Sequence, residues 1–448
     1  AFLLDALREQ VAAGTVVPAY FGSAITGVGV PELLDGVREW FPTAADDGGA
    51  PVAASVFKIT RRPTGEKLVY LRLFAGELAV RQRVTLCRRN RFGEAEAIEE
   101  RVTGLEHFSD GVATQTERAG PGEIAVLHGL RAARIGDRIG DGEAGRGAGD
   151  VFPVPTLESV VHPTEPERIT QLRAALETLA EQDPLIALRQ RNEDGEIALR
   201  LYGEVQKEVM LETLAREYGL GATFGPSRTI CIERPLGTGE ADEIIGTEGN
   251  PFYATVGFRV SPGERGSGVR YTRQLGALPL AFYRAIEETV FETLAQGLCG
   301  WEVTDCVIAL TTVGMCPITA AGDFRKLVPL ALMRALAEAG TVVCEPFEEL
   351  ELDVPEDTFG AVCGALIVAR SLIGDTVADG ATRRLTCALP TAELRGVEQQ
   401  LPRLTRGEGG WESHFAGYVP VTGQVPTRRR VGPNPLNRAH YLAAVARG

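Results

Sequence analysis

The chain has only four lysines among its 46 basic residues, and their neighbours exclude two chemistries. Lys58, Lys67, Lys207 and Lys326 follow Phe57, Glu66, Gln206 and Arg325. A phosphate-binding P-loop needs a glycine before its lysine, so that bare backbone amides can surround the phosphates. None of the four qualifies. None follows an asparagine either, so the Asn-Lys-x-Asp element that reads guanine is missing. On its own, this chain is not expected to bind or hydrolyse GTP. The eight cysteines contain no C-x-x-C pair, and His162 and His414 lie far from any of them in sequence. Buried, reduced thiols are expected, not zinc sites or disulfides. No apolar run is long enough to cross a bilayer, and no secretory leader opens the chain, which predicts a cytoplasmic protein. There is no Ser-His-Asp spacing, no H-E-x-x-H and no carboxylate pair in an apolar setting, so no catalytic residue is expected. An initiator Met is also missing, and the chain opens mid-helix at Phe2-Leu3-Leu4, which reads as the later part of a longer protein.

Positive charge is scarce overall. A net charge of -14 argues against a general nucleic-acid binder. It leaves room for local contacts. The segment Val425–Gly448 holds Arg428, Arg429, Arg430, Arg438 and Arg447 and no acidic residue, so both a solvated tail and an RNA-facing tail fit it.

What is present is ordinary globular composition, 44% hydrophobic and 24% charged, in a chain long enough for several domains. Residues 1–44 read as helix, strand (Val16–Phe21), turn (Gly22-Ser23-Ala24) and a helix opened by Pro31. So small a piece cannot bury a core alone and is expected to end an upstream α/β domain. Asp46–Gly49 reads as a linker. Short strands at Val52–Ile59, Leu68–Phe74, Arg83–Leu86, Ala97–Leu105 and Glu123–Leu127, with turn chemistry at Pro63-Thr64-Gly65 and Ala119–Gly122, predict a β-barrel over 50–150. Gly140–Gly147 reads as a flexible link.

Residues 156–233 follow the order β-α-β-β-α-β, the ferredoxin-like split βαβ. Leu157–Val161 is a strand, and Thr164-Glu165-Pro166-Glu167 is a capping box with proline in the first turn. Ile169, Leu172, Leu176 and Leu179 stripe a helix ending at Asp183-Pro184. A hairpin turns at Asn192–Gly195, a second helix spans Glu204–Tyr218, and Thr229–Ile232 closes the set. The order recurs over 344–423, where Leu350, Leu352 and Val354 alternate and Asp379-Gly380 turns a hairpin. Between the two copies, 236–343 reads as three strands, a helix (Leu280–Gln296), a strand and a helix, a crossover arrangement. Ser261–Gly268 is expected to be a hairpin loop at one end of its sheet. The other notable loop, Gly314–Arg325, is uncharged up to Asp323, apolar at Met315 and Ile318, and stiffened by Pro317. Loops normally face water, so such a loop either folds back on its own domain or is presented to a large partner.

This order of modules resembles elongation factor G with most of its GTPase domain removed. Phe21-Gly22-Ser23-Ala24 resembles the fifth guanine-nucleotide motif, whose Ser-Ala backbone touches the base. Arg72–Gly76 and Gly120–Ile124 resemble barrel signatures of translational GTPases, and Tyr202–Val209 resembles the Gly-Glu-Leu-His-x-Glu run. Within the crossover domain, Asn250–Ala254, Gly266–Val269, Gly300–Cys306, Pro317 and Asp323-Phe324-Arg325 resemble the tetracycline-resistance ribosomal protection proteins. Those proteins often carry an aromatic before the proline, where this chain has Met315. The fold implied is multidomain α+β: the end of a P-loop α/β domain (1–44), the barrel (50–150), and two ferredoxin-like domains (156–233 and 344–423) flanking a ribosomal-protein-S5-like crossover domain (236–343), then a basic tail (425–448).

The resemblance also implies a function. An intact, monomeric protein of this kind binds the ribosome with GTP and Mg held largely in the part missing here, and Ser23 and Ala24 are the nucleotide-facing residues left. Its tip reaches the small-subunit rRNA of the decoding region and displaces tetracycline, and GTP hydrolysis releases it. Met315, Cys316, Pro317, Ile318 and Thr319 are the expected contacts, with Ser261, Pro262, Gly263, Glu264, Arg265, Gly266 and Ser267 in a second tip loop and Arg428, Arg429 and Arg430 on the tail. DNA and membranes are not expected partners. A translocase of elongation factor G type, a paralogue without drug activity, and a non-enzymatic ribosome-binding adaptor remain as alternatives.

Overall fold

The computed structural model describes residues 2–41, 49–62, 64–89, 95–109, 112–140, 155–183, 186–190, 197–247, 249–273 and 278–445. Most of the two links, Asp46–Gly49 and Gly140–Gly147, and the turn at Asn192–Gly195 lie outside them. The chain forms two compact units, 1–151 with 181–183, and 152–180 with 184–448.

The first unit opens with helices Phe2–Ala12 and Val30–Trp40, the second started by Pro31. The expected strand Val16–Phe21 does not form. It has no ladder partner among the described residues, and a strand without one leaves its amides and carbonyls unpaired. Val17 and Phe21 are exposed, and in 3–41 only Gly36 is buried, so this segment holds no core of its own.

The barrel is an eight-stranded antiparallel sheet. Its two central strands, Ala53–Arg61 and Lys67–Ala75, pair over most of their length. Val69, Leu71 and Leu73 alternate into a core shared with Leu86, Leu105 and Leu127. The expected strand Ala97–Leu105 is two. Ala95–Arg101 pairs with Arg83–Arg89, whereas Gly104–Ser109 pairs with Ile124–His128. The chain changes partner at Val102-Thr103, a corner that hydrophobic patterning does not register.

In the second unit, the first ferredoxin-like sheet runs 187–190, 197–201, 157–163, 222–224. Helices Ile169–Gln182 and Glu204–Tyr218 cover it, burying Leu172, Leu176, Leu179, Met210 and Leu214. The capping box is not made: Pro166–Arg168 is a 3-10 turn capped by Glu165 without a side-chain bond. Thr229–Ile232 is also divided. Arg228–Thr229 pairs back onto Leu157-Glu158, while Ile232–Pro235 leaves to pair with Thr341–Cys344. The last ferredoxin-like sheet is built on the long strand Thr341–Pro355, flanked by Thr382–Pro390 and Gly410–Pro420, with Leu372–Asp379 outermost. Helices Phe359–Val368 and Thr391–Leu404 pack on it through Val362, Leu366, Val397 and Leu401. All eight cysteines are free thiols, and burial pushes Cys231 and Cys306 up to about 12.

The central sheet positions the site. Its strand order is 239–243, 254–262, 306–315, 269–273. The strand Cys306–Met315 runs antiparallel to Ala254–Pro262 and parallel to Val269–Arg273, so the crossover helix Leu280–Leu294 joins two parallel neighbours. That helix and the following one, Ala321–Ala339, cover the sheet, with Phe258, Ile286, Leu310, Phe324 and Leu332 in one core. Because Cys306–Met315 lies between them, Ala254–Pro262 and Val269–Arg273 are not a hairpin. Among the described residues, no helix is long and apolar enough to cross a membrane.

Candidate functional site

The strand Cys306–Met315 ends in the uncharged loop, and its register decides what lies beside it. Met315 stands opposite Ala254. The Asn250–Tyr253 loop therefore abuts Cys316–Thr319. The Thr319 hydroxyl accepts from the Cys316 amide at 2.8 Å and donates to the Tyr253 carbonyl, and the Thr319 amide donates to the Cys316 carbonyl at 3.0 Å. Pro317, with its fixed φ, sits second in this closed turn. Asn250 fixes the neighbouring loop, donating to the Ala254 carbonyl and accepting from the Phe252 amide. Below the turn, the Asp323 carboxylate accepts from the Ala320 amide at the start of the helix, and Phe324 is fully buried against Phe282.

The backbone is thus tied inward while the side chains point out. Met315, Ile318 and Tyr253 are 50%, 64% and 52% exposed, and Pro317 is exposed as well. Cys316 and Thr319 are half-buried and serve the turn. Neither Met315 nor Ile318 folds back on its own domain, which removes the first of the two readings of this loop. Sequence reasoning missed Tyr253. Its signal was the Asn-Pro-Phe-Tyr run before a strand, but only the cross-strand register places it beside Cys316 and Thr319.

The second candidate loop, Ser261 to Ser267, is elsewhere. The Pro262 end of its strand pairs with Cys306, the start of the strand whose other end is Met315. Ten residues at about 3.3 Å each separate the two loops by about 30 Å. Ser261, Pro262, Gly263, Glu264, Arg265, Gly266 and Ser267 therefore do not join the Pro317 loop in one surface. Their loop is pinned by Asp305, which accepts from the Gly263 amide through its carbonyl and from Gly268 through its carboxylate, and which pairs with Arg234 at 2.6 Å.

The basic tail is also not a free arm. Arg428 grips Glu158 with two bonds of 2.7 and 2.8 Å and lies over the Trp301 ring. Arg430 is half-buried, donating to the carbonyls of Gln296 and Gly297, and burial lowers its pKa. Arg429 is exposed beside them. Arg428 and Arg430 are thereby withdrawn from any RNA, because their guanidinium groups are already spent on the protein. Further on, Arg438 pairs bidentately with the buried Glu243 and donates to the Gly249 carbonyl, and the Tyr441 hydroxyl donates to the Lys326 carbonyl. The helix Arg438–Val445 thus braces the bases of both loops at the exposed end. Burial works to raise the Glu243 pKa, but bonds from Arg438 and Arg334 outweigh it and hold the carboxyl below its ordinary 4.5. A depressed carboxylate contributes stability above its unfolded pKa and loses it as pH falls through the folded one. The brace is expected to loosen below pH 4.5. The thermal midpoint of Glu243→Gln should be lower than wild type at neutral pH and converge with it in acid.

Ser23 and Ala24 stand in a turn whose Ser23 amide already donates to the Val28 carbonyl at 2.9 Å. Without a P-loop lysine or a guanine-reading Asn-Lys-x-Asp, the residues present do not fit a guanine nucleotide with its metal.

Comparison with known proteins agrees with this architecture. Residues 152–226 match elongation factor G domain III, 231–340 match its domain IV, and 342–429 match its C-terminus. A crystal structure of a Thermus thermophilus protein shares the fold at a TM-score of 0.50 and 24% identity, over all of this chain and 66% of that one. The oxytetracycline resistance protein of Streptomyces rimosus is 44% identical over 98% of this chain and 68% of its own length. The tetracycline resistance protein TetM of Streptomyces lividans is 42% identical over 91% of this chain, and TetP of Clostridium perfringens 33% over 96%. The chain spans 64% and 65% of those two relatives. The fold is that of an elongation factor G-like translation factor. Within that class the chain belongs to the tetracycline-resistance ribosomal protection proteins.

Proposed function

We propose that the protein binds the small ribosomal subunit as a monomer and displaces tetracycline from the decoding region with the loop Met315–Thr319, assisted by Tyr253. The observation that carries this reading is the loop's geometry: a turn closed by Thr319 and stiffened by Pro317 presents exposed, uncharged side chains at one end of a packed sheet. An aromatic on an unstacked base contributes about 1–3 kcal/mol, and Tyr253 supplies the ring that Met315 lacks. GTP hydrolysis, which the resemblance implies for the intact protein, is assigned to no residue of this chain.

The test replaces Met315–Thr319 with glycines in the intact protein. Growth in tetracycline should fall to that of cells without the gene, while co-sedimentation with ribosomes persists. Tyr253→Ala should produce a partial loss. Unchanged resistance in the glycine variant would remove the loop from the mechanism.

A further inference from the structure

A pocket of about 610 Å³ opens in the second unit between the first strand of one ferredoxin-like sheet, the long strand of the other, and the segment Val421–Arg429. Its floor is apolar, formed by the cluster of Cys231, Trp301 and Val421. Four arginines and two glutamates line it. Both carboxylates are committed. Glu158 takes Arg428, and Glu345 takes Arg370 with bonds of 3.0 and 3.2 Å. Each glutamate residue is 9% exposed, so the negative charge lies deep and is neutralised there.

The rim differs from the floor. The Arg228 guanidinium is exposed and has no partner among the described residues, and neither do the hydroxyls of Thr229, Thr422 and Thr427. Arg429 borders the same opening. A planar guanidinium with several hydroxyl donors around it matches phosphate oxygens. The volume lies within the range of small-molecule sites, and an apolar floor under convergent polar groups is their usual construction. We propose that this pocket binds an organic phosphate of nucleotide size, its phosphate on Arg228 and the threonine rim and its non-polar body on the Trp301 side.

Titration calorimetry on the full chain with AMP, adenosine and inorganic phosphate tests the site apart from any ribosome. AMP should bind more tightly than either fragment. Arg228→Glu, at an exposed position, should weaken AMP about tenfold or more without changing the thermal midpoint. Thr427→Val, which alters no charge, should weaken it by a smaller factor. AMP binding no tighter than phosphate, or Arg228→Glu leaving it unchanged, overturns the proposal. A single-stranded RNA oligonucleotide that displaces AMP would make RNA the source of the phosphate. One that leaves AMP bound would make the ligand a free nucleotide, and either supports the site.

Discussion

Glu233→Ala is expected to destabilise the second unit by about 3–6 kcal/mol, read as a shift in the denaturant midpoint. Glu233 is 0% exposed and lies on the strand Ile232–Pro235. Its carboxylate accepts from the amides of Leu298, Cys299 and Trp301 at 2.8, 2.8 and 3.0 Å and from the Thr341 hydroxyl at 2.7 Å. One side chain thereby organises the loop after the crossover helix and fastens it to the last ferredoxin-like sheet. Removing it leaves three amides without their acceptor, that of Trp301 buried and those of Leu298 and Cys299 half-buried, and an unpaired buried amide costs about 1–3 kcal/mol. The loop packs directly on this carboxylate, since a Cβ on Gly297 would stand 2.6 Å from the carboxyl carbon. Glu233→Gln keeps the volume but turns one acceptor into a donor facing amides, so it should fall between wild type and alanine. A loss under about 1 kcal/mol for the alanine variant would show that the loop has another anchor.

The second large effect concerns Arg428. Its side chain and that of Glu158 are 10% and 11% exposed, so Arg428→Ala leaves a nearly buried carboxylate without its partner. The expected cost is about 3–5 kcal/mol. Part of it is lost packing, because the guanidinium also covers Trp301. The control is the pair replaced together. Arg428→Met with Glu158→Gln removes both charges and should recover most of the loss, because the penalty resides in the unpaired charge and not in the missing bond. A double variant as unstable as Arg428→Ala alone would assign the effect to packing against Trp301. Either result separates the structural work of this arginine from any role on RNA.

These two residues also show where sequence reading stops. The helix Glu204–Tyr218 and the Asp379-Gly380 hairpin were legible because their signals are local. So was the repeated β-α-β-β-α-β order. Pairing partners far along the chain left no such signal. Arg428 finds Glu158 across 270 positions, and without that partner five tail arginines with no acid among them look like a free basic arm. Thr229 and Ile232 read as one strand, yet they serve different sheets. Ser261–Gly268 read as a hairpin because the strand that separates its two arms comes much later. Val16–Phe21 has strand composition but no neighbour to pair with. Pro317 and the missing charge marked the loop out but left open whether it folds back or stands exposed, and Tyr253 became visible only through register.

The scarcity of lysine acquires a practical meaning once the four are placed. Lys207 is 5% exposed, its ammonium held by the Gly225 carbonyl at 3.2 Å and Glu204 at 3.1 Å. Lys58 and Lys67 both belong to the barrel. That leaves Lys326, half-buried in the second turn of the helix that follows Thr319, as the more accessible of the second unit's two lysines. A dye or cross-linker aimed at lysine would therefore label that unit at a single known address, on the helix into which the Pro317 loop leads.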